Sequence, residues 1–146
     1  MTQEQKELLL KDLSGRLPYG IKFACNKNVY TIKGLDLIVT DEGDWEYAVT
    51  AKGISPIEIG FIKPYIFPLS SMTEEQKYDF YCRFIENDCD FNDFKEFYFE
   101  NNEWHKMLTS IDDIEEIIDW FNKNHFDFRC LIPKGLAIDA TGLNIY

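Results

Sequence analysis

The chain has 146 residues, 45% of them apolar and 16% aromatic, enough to bury about two-thirds of the unfolded surface in a core and too many rings for a disordered chain. No apolar run approaches the length of a membrane span or a secretory core, which predicts a soluble protein of the cytoplasm with no membrane contact. Formal charge is −11, with 8 basic and 9 acidic groups in residues 1–72 but 7 and 17 in residues 73–146, a field that disfavours direct nucleic-acid binding while leaving a basic protein partner open.

Thr2 to Gln5 reads as a capping box, so a first helix is expected to about Leu13, with Gly15 and Pro18 stopping it. From Ile21 to about Ile62 the pattern changes to short β-branched and aromatic runs: Ile21–Phe23, Val29–Ile32, Leu37–Val39 and Tyr47–Val49. Turn residues at 26–28, 41–44 and 52–53 separate them. This predicts four or five antiparallel strands, partly closed like a barrel to protect the edges, with the first helix across an end. The stretch Ile62–Pro68 holds two prolines and reads as a connector.

Thr73 to Gln76 is a second capping box, opening a helix to about Asn87. Residues 90–107 interleave rings with carboxylates. Phe91, Phe94 and Tyr98 share a helical face that leaves no room for both Phe97 and Phe99, so exposed rings are expected there. Ser110 and Asp113 introduce a last helix with an apolar stripe from Ile111 to Phe121, ending near Asn124. The tail is apolar enough to pack, and its last part reads as an edge strand. The expected fold is thus α+β, a single domain over 1–146 with a mainly β subregion at 1–68 and a mainly helical, acidic subregion at 69–146.

Four blocks carry a resemblance: Lys6–Leu13 with Arg16–Gly20, Lys63–Tyr65 with Pro68–Glu75, Trp120–Arg129, and Leu131–Ala137. In them the chain resembles a family of small uncharacterised proteins of gut Bacteroides-type bacteria and their phages or mobile elements. The resemblance implies that genomic setting and carries over no activity, cofactor or catalytic residue. It also marks two departures, Phe67 where a basic residue is common and Cys130 where glycine is common.

Candidate chemistry is sparse. Cys25, Cys82, Cys89 and Cys130 form no C-x-x-C pair, so reduced, packed thiols are expected. Glu103 with His105 and His125 with Asp127 are the pairs from which a metal-dependent enzyme would have to be built. Helical or loop backbone does not aim residues two apart to one side, so neither metal nor cofactor is expected, and His125 reads as a helix C-terminal cap. No nucleophile elbow surrounds Ser70 or Ser71, and no glycine-rich phosphate loop exists, so the chain is not read as an enzyme. Two binding readings follow. The leading one is a host protein held by Phe97, Phe99, Trp104, Glu96 and Glu100. The alternative is a phosphorylated nucleotide signal held by Arg16, Tyr19, Lys63, Tyr65, Arg129 and Lys134, since guanidinium next to aromatic rings suits such a ligand.

Overall fold

Thr2 starts the chain's first helix as its sequence requires: its hydroxyl accepts from the Gln5 amide at 3.2 Å while the Gln5 side chain accepts from the Thr2 amide at 2.9 Å. In this computed structural model the described residues are 1–85, 89–100, 106 and 114–146. They divide into two units, Met1–Ile66 with Arg129–Tyr146, and Phe67–Phe128. The first unit holds 10 basic and 10 acidic residues and the second 5 and 16, so the whole formal charge belongs to the second.

In the first unit, α1 (Gln3–Arg16) runs into a 3-10 turn at Leu17–Tyr19, and Gly20 leaves it at φ +71°. Strands β1 (Lys22–Cys25) and β2 (Asn28–Val39) form a hairpin whose two turn residues, Asn26 and Lys27, both have positive φ, the geometry that matches the right-handed twist of its strands. The two expected strands at 29–32 and 37–39 are one continuous strand. A bulge between Ile32 and Gly34 lets it bend, and a side chain at Gly34 would meet Thr50 Oγ1 at 2.9 Å.

Strands β3 (Trp45–Ala51) and β4 (Ile57–Glu58) complete an antiparallel sheet in the order β1-β2-β3-β4. The sheet is open, which corrects the expected barrel-like closure. Its last strand is two residues long before the chain turns at Ile59–Phe61, and β1 is bridged by Pro64, which has no amide to donate. Neither edge offers the length that a closing ladder needs.

The expected connector contains strand β5 (Tyr65–Ile66), and the tail contains β6 (Ile138–Asp139), paired with it in parallel. Leu9 and Leu13 of α1 pack with Ile21, Phe23, Ile32 and Val49, and the tail contributes Leu131, Leu136 and Ala137 to the same core. Cys130, where the resemblance leads one to expect glycine, has φ +56°, the left-handed backbone that glycine adopts without strain. No disulfide joins the four cysteines, all of them half-buried.

In the second unit the Thr73 capping box opens α2 (Glu74–Phe84). Asp90 caps α3 (Phe91–Phe94), which widens into a π-helical segment at Lys95–Glu100, and α4 spans Ile114–Lys123. The fully buried ring of Phe80 is the hub, with ring centroids of Phe84, Trp120, Phe121 and Phe94 at 4.8 to 6.1 Å. Helix α4 ends in a left-handed cap at His125 (φ +57°): the Phe126 amide donates to Phe121 O at 3.0 Å and the His125 amide to Asn122 O at 3.1 Å. The expected helix start at Ser110 lies outside the described residues.

Candidate functional site

The acidic, aromatic stretch was expected to expose rings because α-helical spacing cannot place them all on one face. The π-helical segment changes that arithmetic. Its wider turn sets Phe94 and Phe99, five residues apart, side by side with centroids at 5.5 Å, and Phe99 also meets the Phe80 ring edge-on at 6.4 Å. Phe99 is therefore half-buried against the ring cluster. Phe97 is left on the outside, 46% exposed, between the exposed carboxylates of Glu96 and Glu100. Lys106 Nζ sits 5.9 Å from its ring centroid. Trp104, the third expected anchor, lies outside the described residues.

A second charged feature lies on the same unit. The Arg83 guanidinium beside Asp79 holds that carboxyl below its usual range, and the Trp120 indole donates to Asp79 Oδ2 at 3.1 Å. Arg83, Glu115, Asp119, Trp120 and Lys123 line a mixed-charge depression. With Glu116 it holds three carboxylates and two cations.

The cations proposed for a nucleotide are placed differently. Arg16 is fully buried, and Asp12 holds it by two hydrogen bonds, from Nε at 2.7 Å and Nη2 at 3.0 Å. Arg129 Nε lies 3.4 Å from Asp12 Oδ1, the oxygen that also accepts from Arg16 Nη2, so one buried carboxylate gathers both guanidinium groups. Burial lowers the Arg129 pKa, Asp12 opposes that shift, and the charge of Arg16 adds to it. Lys134 Nζ donates to the carbonyls of Arg129 and Cys130 at 3.1 and 3.3 Å, while Lys63 is exposed and Tyr19 half-buried. Tyr65 contributes its carbonyl, which accepts from the Tyr146 hydroxyl at 2.7 Å. Arg16 and Arg129 thus share Asp12, and Lys134 is held by the backbone carbonyls of Arg129 and Cys130. The spacing of Asp12 and Arg16, four apart on a helix, was the sequence signal for this pairing.

His125 and Asp127 are both buried, and the His125 backbone, at φ +57°, forms the helix cap. Glu103 and His105 lie outside the described residues. Among the described residues no three His, Cys, Asp or Glu side chains are grouped to hold a metal ion, and no helix is long and apolar enough to cross a membrane.

No protein-family profile matches the chain, and neither the curated proteins nor the solved structures give a significant match.

Proposed function

We propose that the chain is a non-catalytic binding protein of a phage or mobile element that acts in the host cytoplasm, in counter-defence or takeover, by sequestering a host protein. The observation that carries this reading is Phe97. In the segment 91–100 it is the ring left exposed, at 46%, while Phe91, Phe94, Tyr98 and Phe99 are buried or half-buried. It stands between Glu96 and Glu100 on the unit that bears the entire net charge. An aromatic anchor inside a polar rim is the composition of an interface hot spot, with the carboxylates steering a basic partner. The resemblance to proteins of phages and mobile elements supplies the setting. The alternative, a phosphorylated nucleotide signal, has less support, because the Arg16 guanidinium is buried and engaged by Asp12.

The test is affinity capture from host lysate with wild type and Phe97→Ala in parallel, together with a phage-defence assay in the host. A specific protein recovered by wild type, and lost with Phe97→Ala at unchanged melting temperature, supports the reading. Recovery of no specific protein, with no effect on defence, removes it.

A further inference from the structure

The β2–β3 hairpin carries its core face beyond its cover. Leu35 pairs with Val49, Leu37 with Tyr47 and Val39 with Trp45, so strand alternation puts all six on one face. At the inner end Val49 is buried and Leu35 half-buried, in the same core as α1. Further out, Leu37, Val39 and Tyr47 are exposed by about half and Trp45 by 70%. The exposed rows therefore continue a face built for burial. Leu10 and Ser14 of α1 border them, leaving a groove of about 480 Å³ with Leu35, Leu37 and Tyr47. Contiguous apolar surface of this kind marks interaction sites in folded proteins.

Two observations say what covers it. The Asp36 carboxylate accepts from the Leu37 amide at 3.0 Å and so takes up one donor beside the groove, which favours docking on the face over strand addition. The hairpin tip and the residues beside it are strongly acidic. Asp41, Glu42, Asp44, Glu46 and Glu58 surround a concavity of about 370 Å³ with Lys6 as its cation, walled by Phe61 at 78% exposure. Lys6 is paired to Glu46, which leaves the other four carboxylates to meet incoming charge. Carboxylates beside an exposed aromatic ring suit the ammonium or guanidinium of a side chain.

We propose that this hairpin is a docking site for a basic amphipathic segment of a partner protein. Apolar side chains of that segment lie on Leu37, Val39, Trp45 and Tyr47, and a Lys or Arg at its end meets the tip carboxylates of Asp41, Glu42 and Asp44, while Glu46 and Glu58 alternate to the other face and add to the field from there. The surface is independent of Phe97, and the two proposals fail separately.

The experiment selects binders to the intact protein from a random-peptide display library and measures them as synthetic peptides. The expected sequences intersperse Lys or Arg with apolar residues. Trp45→Ser and Val39→Ser should each weaken them about tenfold or more. Combined Asp41→Asn, Glu42→Gln and Asp44→Asn should slow association and flatten its salt dependence. Phe97→Ala should leave these affinities unchanged. Unchanged melting of the exposed-site variants separates lost binding from lost folding. The proposal is overturned if no peptide is selected, if the peptides lack basic residues, or if they bind Trp45→Ser as well as wild type. Sedimentation revealing a dimer that Trp45→Ser dissociates would assign the face to a second copy. Trp45-dependent capture by phosphatidylcholine vesicles would assign it to a lipid surface. Either result overturns the basic-segment proposal.

Discussion

Asp12 and Arg16 lie one helical turn apart on α1, neither with exposed surface, joined by hydrogen bonds of 2.7 and 3.0 Å. Removing one member of such a pair leaves a buried charge uncompensated, at a cost of about 3–5 kcal/mol, whereas apolar replacement of both is often close to neutral. Asp12→Ala should therefore lower the unfolding free energy in urea by about that amount. Asp12→Leu with Arg16→Met and Arg129→Met, which removes all three charges gathered at Asp12, should recover most of it. A triple variant no more stable than the single would mean that the buried charge is not the source.

This pair also marks the limit of what could be read before folding. The capping boxes at Thr2 and Thr73 were legible because each is made by residues three apart, and both form as expected. The Asp12–Arg16 spacing was equally local. Its burial was not, since that depends on Leu131, Leu136 and the rest of the returning tail closing the core. The π-helical turn was illegible for the same reason. Phe99 is drawn inward by Phe80 of another helix, and no α-helical periodicity within 91–100 records that contact. The hairpin's apolar rows are visible in the alternation of 35–39 and 45–49, but where α1 stops covering them is a tertiary fact.

Phe97 and Phe99 should separate cleanly. Truncation of a buried aromatic costs about 3–5 kcal/mol, so Phe80→Ala should unfold much of the second unit. Phe99→Ala, half-buried on two rings, should cost about 1–3 kcal/mol. Phe97→Ala should stay within about 0.5 kcal/mol of wild type. Thermal melts of the three variants check the order. A Phe97→Ala loss as large as that at Phe99 would place Phe97 in the core and remove it as an anchor.

Left-handed backbone at Lys27 and Cys130 gives a prediction of opposite sign. Non-glycine residues there carry local strain, so Lys27→Gly and Cys130→Gly should each raise stability by about 0.5–1 kcal/mol. Alanine controls separate backbone from side chain, because Lys27→Ala and Cys130→Ala keep the strain and should bring no gain. Equal stabilisation by alanine and glycine would reject the backbone explanation.

At alkaline pH the group to follow is Tyr146. Desolvation raises its phenol from the ordinary 10.0 to about 12, opposed by the Lys22 amide that donates to its oxygen at 3.2 Å. A raised folded-state value means the neutral phenol is the form that the fold favours. Its contribution is complete below pH 10 and is lost as pH rises to about 12. The stability of wild type should therefore fall toward that of Tyr146→Phe across this window. A constant difference between the two, measured by denaturant unfolding at each pH, would show that the hydroxyl does not titrate with folding.

The parallel pairing of β5 with β6 has a consequence for the order in which the chain is made. Tyr65 and Ile66 leave the ribosome well before Ile138 and Asp139, with the whole of Phe67–Phe128 between them. The second unit can finish its ring cluster while the first still lacks Leu131, Leu136 and Ala137, so its hydrophobic interior is unsealed until the last stretch emerges. Once the intervening unit has folded, it no longer behaves as a long flexible loop, and bringing β6 to β5 costs less entropy than closing the same length of open chain. Chains ending at Phe128 and carried clear of the ribosome on a long C-terminal linker should accordingly be cut by protease within residues 1–66 and resist it around Phe80, Phe94 and Phe121.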